Sequence, residues 1–342
     1  MLTTRSIRIF STGLLLTFLM VVMPHLGISK RLINPMPKPV GILEQVKTKL
    51  ETRQNYFQIK KQLISAVFAG SDYEEARAYT VADLSSGQII TAKNPSKRLP
   101  VASLTKIMTA IVALDLTKPD EKFSVSEKAA SQIPTKVMLK EGEVFSILDL
   151  LKHMLISSAN DSAEVIKEGI DLKYEPGTFI KAMNLKAQIL GLKNTHFTNA
   201  EGYDDSNHFS STEDLTTLSA YALKEYPEIA QIVSKPFEDL TKNATDLRFY
   251  LNNWNGLIGV YPNVSGVKIG NTGKAGHSTI VVSEREGSKI LAVLLGAPGV
   301  LERDLWTAEL LDLGFNKVAG LKPVGVTEDQ LQSKYETWKY FK

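Results

Sequence analysis

The sequence predicts an α/β domain whose single sheet takes strands from both ends of the domain, with helices between them. Two observations carry this. From Ala78, AYTVADLSSGQIITAKN alternates apolar and polar residues on both sides of a Ser-Ser-Gly turn, the pattern of a β-hairpin. Far downstream, GVKIG, STIVVSE and KILAVLLG read as further strands, the last two joined at Glu286-Gly287-Ser288. Between these groups the apolar residues recur at helical spacing, so one sheet built from both termini encloses a helical middle.

The elements follow in chain order. Arg5 and Arg8 precede an uncharged run from Ile9 to Ser29 centred on LLLTFLMVVM. That run is about 21 residues, the length a helix needs to cross a bilayer. No Ala-x-Ala-like cleavage site follows it, which favours an uncleaved anchor over a removed signal peptide, and either reading exports the chain. Lys30 and Arg31 on the far side blunt the charge asymmetry that would fix orientation. Residues 1–32 are thus expected to be an N-terminal membrane anchor or signal sequence. NPMPKPVG (34–41) carries three prolines and reads as a stiff, extended linker. From Leu43, the positions Val46, Leu50, Phe57, Leu63 and Ile64 predict an amphipathic helix of roughly 20 residues, a stalk or brace on the main domain. The main domain is expected over 77–320, after a linker-and-helix segment 33–76, with 321–342 as a short C-terminal tail.

Within the main domain a buried helix is expected from about 103, then a mixed region to about 145. In SILDLLKHMLIS, Ile147, Leu148, Leu151, Met154 and Leu155 share one helical face, and Ser146 and Asp149 are spaced as a capping box. Further helices are predicted near 178–190, 212–224 and 304–313.

Composition narrows the chemistry. With 43% apolar and 23% charged residues in 342, the chain can bury a substantial core, and a net charge of +3 without a basic stripe gives no nucleic-acid footprint. The absence of cysteine excludes disulfides, thiol nucleophiles and thiolate-bound metals. The five histidines, His25, His153, His196, His208 and His277, lack the close pairing of a zinc helix. No metal and no cofactor are expected.

The stretch VASLTKIMTA (101–110) sets Ser103 and Lys106 three residues apart among Ile107, Met108 and Ile111. If a helix opens near Ser103, the two side chains lie one turn apart on one face. The helix N-terminus favours a developing alkoxide, and burial pushes the ammonium toward a neutral amine that can act as base. A serine beside such an amine is a nucleophile for acyl transfer. Taken alone, Ser-x-x-Lys is also the spacing of an N-cap serine followed by a solvated lysine.

Two further motifs accompany it. SSANDSAE (157–164) contains Ser158-Ala159-Asn160, and SGVKIGNTGKAG (265–276) contains Lys268 and Gly270 with Thr272, Ala275 and Gly276 downstream. In order and rough spacing the three motifs resemble the signature of the serine-acyl penicillin-binding proteins and β-lactamases, and within that group the low-molecular-mass D-alanyl-D-alanine carboxypeptidases of the serine peptidase S11 type. The likeness runs from about 77 to 317 and includes MNLKAQILGLKNTHFTNAEGY ahead of HFSST, from His208. It implies a β-lactamase/transpeptidase-like α/β fold: an antiparallel sheet of about five strands flanked by helices, with a helical lobe inserted between the early hairpin and the last strands.

The resemblance also implies roles. Ser103 would be acylated, Lys106 would be the general base, and Ser158 and Asn160 would face them, relaying a proton and holding the substrate amide. Lys268 and Gly270 would border the cleft on a strand that pairs with the peptide, and Lys268, Thr272 and Arg303 would serve the substrate's terminal carboxylate. The oxyanion would be held by backbone N–H groups, that of Ser103 among them. The substrate would be the D-Ala-D-Ala terminus of peptidoglycan stem peptides, with β-lactams as covalent inhibitors, on the outer face of a bacterial cytoplasmic membrane. His208 reads as a hydrogen-bonder within its loop.

One position departs from the pattern. The third motif normally reads Lys-Thr-Gly, and here Ile269 replaces the threonine and its hydroxyl. This keeps two alternatives open: an impaired, peptidoglycan-binding or regulatory homologue, and a D,D-endopeptidase. Two look-alikes fall away. GNTGKAG lacks the Ser or Thr of a phosphate loop at Ala275, and Glu175-Pro176 lacks the asparagine that would follow the deacylating glutamate of a class A β-lactamase, since position 179 is Phe.

Overall fold

The computed structural model describes residues 41–51, 71–242 and 247–338. The expected anchor, the Pro-rich linker up to residue 40 and the later part of the predicted 43–64 helix lie outside them. The described residues from Val46 onward belong to one compact unit. No helix among the described residues is long and apolar enough to cross a membrane.

Helix α1 (Ile42–Glu51) comes first. The hairpin follows as β1 (Ala78–Asp83) and β2 (Gln88–Lys93), with Ser85-Ser86-Gly87 in its turn as the sequence predicts. The turn is closed by the Asp83 carboxylate, which accepts from the N–H groups of Ser85 and Ser86. Then come α2 (Lys106–Leu116), β3 (Lys122–Ser124), α3 (Glu127–Ala130), β4 (Val144–Ser146), α4 (Ile147–Ile156), α5 (Asn160–Lys173), α6 (Thr178–Ile189), α7 (Thr212–Glu225) and α8 (Pro227–Val233). The last part holds β5 (Phe237–Lys242), β6 (Leu247–Asn252), β7 (Val264–Thr272), β8 (Gly276–Arg285), β9 (Ser288–Ala297), α9 (Val300–Ala319) and α10 (Glu328–Thr337).

The main sheet has five strands in the order β2-β1-β9-β8-β7, every pair antiparallel. Its central strands are buried along most of their length, so both faces are covered. On one face Val81, Val281, Ala292 and Leu294 pack with Leu310, Leu311 and Phe315 of α9. On the other, Thr80 of β1 donates from its hydroxyl to Thr212 at the start of α7, at 2.7 Å. Helices α2 to α8 and the two small hairpins β3-β4 and β5-β6 make up the segment inserted between β2 and β7. Its axis is α2, a mostly apolar helix buried all round, whose Asp115 side chain is only 1% exposed in its pair with Lys186.

Local signals account for several boundaries. The Ser146 hydroxyl accepts from Asp149 N–H at 3.1 Å and caps α4. Pro227 opens α8, where its missing N–H is not needed. Three features differ from the sequence reading. Ser103 belongs to a 3₁₀ turn, Ala102–Thr105, that leads into α2, not to the α-helix itself. Helix α9 runs for 20 residues, well beyond 304–313. The hairpin β5-β6 and the tail helix α10 carry no assignment from sequence.

Candidate active site

The nucleophile candidate is held by close backbone contacts. Ala102 takes a left-handed conformation, φ +48°, and the next residue, Ser103, is thereby presented at the tip of its 3₁₀ turn. Two glycines press on this turn. A Cβ at Gly270 of β7 would stand 3.0 Å from Ser103 N, and one at Gly202 would stand 1.9 Å from Ala102 O. Any other residue at 202 would collide with backbone, so glycine here is a condition of the geometry.

Lys106 lies one turn further on, at 0% exposure. Its Nζ is 2.8 Å from Ser103 Oγ, 2.8 Å from Asn160 Oδ1 and 2.7 Å from the Glu201 carbonyl. Asn160 opens α5, and its own amide N–H₂ donates to Ile133 O at 3.0 Å, which fixes Oδ1 toward the lysine. The amide oxygen and the carbonyl can only accept. A neutral Lys106 therefore spends its two N–H groups on them, and its lone pair is left facing the Ser103 hydroxyl. Burial lowers the Lys106 pKa to about 7, although Glu201 and Asp161 pull the other way.

Ser158 sits between α4 and α5, nearly buried and again left-handed at φ +63°. Asp161, one residue into α5, anchors the facing loop by accepting from the N–H groups of Val137 and Leu139, both at 3.1 Å. Ser103, Ser158, Ile269, Gly270 and Arg303 line one cleft of about 500 Å³, together with Pro134, Thr135, Trp254, Asn271, His277, Val300 and Trp338.

Lys268 is 3% exposed on β7, the edge strand of the sheet, and its Nζ donates to the Ile269 carbonyl at 3.1 Å. Burial, the Lys106 charge and the Arg303 charge push its pKa well below the usual lysine value. Among the described residues it has no carboxylate partner. Arg303, 1% exposed on α9, is held by Asp304 through Nε and Nη2, both at 2.8 Å, and donates to Trp254 O at 3.3 Å.

Of the eight residues singled out in the sequence, the structure brings seven to the cleft or directly behind it. Thr272 is held elsewhere: its hydroxyl donates to Asp204 at 2.7 Å and accepts from Ala275 N–H at 3.0 Å, which ties the β7-β8 turn to the 203–205 loop. His208 is 2% exposed. Its Nδ1 accepts from Thr198 N–H at 3.1 Å, so its Nε2 carries the proton and donates to Thr105 at 2.7 Å. Sequence reasoning missed Glu201, Gly202, Trp254, His277 and Trp338. For Glu201 and Gly202 a signal existed in NAEGY, because glycine beside a motif-like segment invites the question of what backbone approaches it. Trp254, His277 and Trp338 gave none.

The comparisons agree with this geometry. The family described as D-alanyl-D-alanine carboxypeptidase matches residues 66–299. The D-alanyl-D-alanine carboxypeptidase DacF of Bacillus subtilis is 34% identical over 248 residues, covering 71% of this chain and 63% of the relative. The chain thus spans a little under two thirds of that relative's length. A D-alanyl-D-alanine endopeptidase of Escherichia coli is 32% identical over 232 residues, covering 64% of this chain and 70% of the relative. The ampicillin-bound crystal structure of penicillin-binding protein D2 from Listeria monocytogenes superposes with a TM-score of 0.61 at 31% identity, over 70% of this chain and 97% of that one. From the five-stranded antiparallel sheet, the inserted helical lobe and a match over most of its length, the chain belongs to the D-alanyl-D-alanine carboxypeptidase family, peptidase family S11.

Proposed function

We propose that the protein hydrolyses the terminal D-Ala-D-Ala bond of peptidoglycan stem peptides through an acyl-Ser103 intermediate. The observation that carries this reading is the placement of Lys106 Nζ 2.8 Å from Ser103 Oγ while two obligate acceptors occupy its N–H groups. The neutral amine takes the Ser103 proton as Oγ attacks the penultimate D-Ala carbonyl. Backbone N–H groups, that of Ser103 included, hold the oxyanion, and the proton returns to the departing D-Ala amine with Ser158 as relay. Asn160 holds the substrate amide. Water then attacks the ester carbonyl and frees Ser103. Lys268 and Arg303 hold the substrate's terminal carboxylate, for which Lys268 has no protein substitute among the described residues. β-Lactams acylate the same serine and hydrolyse slowly. No metal or cofactor enters the scheme.

The catalytic domain spans 77–320, and the apolar run at the N-terminus holds it at the outer face of a bacterial cytoplasmic membrane. Fractionation of cells expressing the whole chain and a form lacking residues 1–32 tests the anchor: recovery of both in the soluble fraction rules it out. The chemistry is tested with a fluorescent penicillin and, separately, with a D-Ala-D-Ala peptide while released D-alanine is measured. Labelling that maps to Ser103 and disappears in Ser103→Ala is the expected result. Labelling at another residue, or none alongside absent D-alanine release, overturns the acyl-serine reading.

A further inference from the structure

The family match ends at residue 299, yet the chain beyond it returns to the cleft. Trp338, the residue after α10, stands on the cleft wall with Trp254, Val300 and Arg303. Its ring meets that of Trp254 edge-on at 5.5 Å and 78°, and tilts over Tyr335 at 4.9 Å. Tyr335 donates from its hydroxyl to Asp304 Oδ2 at 2.8 Å, the carboxylate that also clamps Arg303. Leu331 is fully buried in the core beneath the sheet, and Thr327 and Gln330 close a capping box at the helix start. Trp338 is therefore positioned by three independent ties, through core, cap and cation site.

What it walls off follows from the charges. The nucleophile stands at Ser103, and the Arg303 guanidinium on the wall of the same cleft marks where a carboxylate is attracted. A substrate whose scissile carbonyl sits at Ser103 therefore points its leaving group toward Arg303, against the two tryptophans. We propose that Trp338, delivered by α10, closes the leaving-group end of the cleft, so that a leaving amino acid of alanine size is accepted and one whose side chain runs on into a second peptide is rejected. This rests on the acyl-serine reading above. It makes Trp338 a specificity-determining residue that favours trimming free stem termini over opening cross-links.

The test uses the whole chain and two substrates with the same acyl-D-Ala donor. One ends in D-Ala; the other is a cross-linked dimer in which the leaving amine belongs to a diamino acid of a second stem peptide. The readout is the ratio of the two kcat/KM values, which does not depend on the fraction of folded protein. Trp338→Ala is expected to lower the preference for the D-Ala terminus by about tenfold or more, whereas Trp338→Phe, which keeps a ring in the wall, stays within about threefold of wild type. Penicillin labelling of wild-type Ser103 separates the two levels. If Ser103 is labelled but Trp338→Ala leaves the ratio unmoved, or wild type opens the dimer as readily as it trims the monomer, the wall is not at Trp338 and the acyl-serine reading stands. If wild type neither labels nor cleaves either substrate, both fall together.

Discussion

In the proposed mechanism, the acid–base behaviour of Lys106 sets the pH range in which Ser103 acts as a nucleophile. With a pKa lowered to about 7, the amine is protonated below that pH and free above it. The rate of penicillin acylation should rise through a midpoint near 7 and level off above it, measured by stopped-flow or quenched labelling. A rate that is flat from pH 6 to 9 would show that the base does not titrate there. Lys106→Ala should slow acylation by about 10²-fold or more, as loss of a general base does. Ile269 is the second residue whose replacement is informative. It lines the cleft beside Gly270, where a hydroxyl could donate to the substrate carboxylate, and a hydrogen bond to a charged group contributes about 1.5 to 3 kcal/mol. Ile269→Thr should therefore raise kcat/KM for a D-Ala-D-Ala peptide by roughly 10- to 150-fold and change penicillin acylation less, since the strained lactam depends less on its carboxylate being held. Unchanged or lower peptide turnover would mean that the missing hydroxyl does not limit the reaction.

Among the elements, α1 is tied to the helical lobe by a polar contact as well as by burial. Val46 and Leu50 are each 1% exposed, and the Leu50 carbonyl accepts from Lys186 Nζ at 2.8 Å. That lysine is itself buried, paired with Asp115 at 2.9 Å and bonded to Tyr221. A chain starting at residue 77 loses the buried side chains of Val46 and Leu50, about 1.5 to 3 kcal/mol each, loses those of Tyr73 and Ala76 as well, and deprives a buried ammonium of an acceptor. Its urea midpoint should fall clearly below that of a chain starting at 42; equal midpoints would show that α1 contributes nothing to the fold. The same contrast between strong and weak patterns decides what could be read beforehand. The β1-β2 and β8-β9 hairpins were legible because long apolar stretches meet definite turns. LRFYLN alternates Leu247, Phe249 and Leu251 with Arg248, Tyr250 and Asn252, but its partner FEDLTK does not, so in sequence the one short strand stood without a recognisable mate. Helix α10 buries one residue, Leu331, and a single apolar position has no period. The motif residues were legible as chemistry, but the acceptors around Lys106 include a backbone carbonyl, which no residue type announces.

For the molecule as a whole, stability should depend on pH through groups buried in their neutral forms. His208 has its pKa lowered to about 4 from an ordinary 6.5, chiefly by burial. Between those values the unfolded chain binds a proton that the fold refuses, so stability is complete above 6.5 and declines as pH falls toward 4, by at most about 3 kcal/mol from this group. Carboxyls such as Asp161 and Asp214, raised chiefly by burial, shift stability with pH in the opposite sense to His208. The contribution of His208 is therefore read as a difference: His208→Gln should show a shallower loss of urea midpoint from pH 6.5 to 4 than wild type. Parallel curves would assign the slope to other groups.

The ladder between β1 and β9 pairs Ala78 with Leu295 and Asp83 with Ile290, so the central seam of the sheet joins residues from opposite ends of the domain. Contacts of such high sequence separation close slowly and only once both partners are present. A ribosome delivers Ala78 long before Leu295, and until β9 emerges β1 has no partner on that side. The Ser103 turn waits as well, because Gly270 of β7, which packs against it, arrives late. A nascent chain therefore carries Ser103 without its finished turn until the last strands of the sheet are made, so this site is among the last parts of the domain to form.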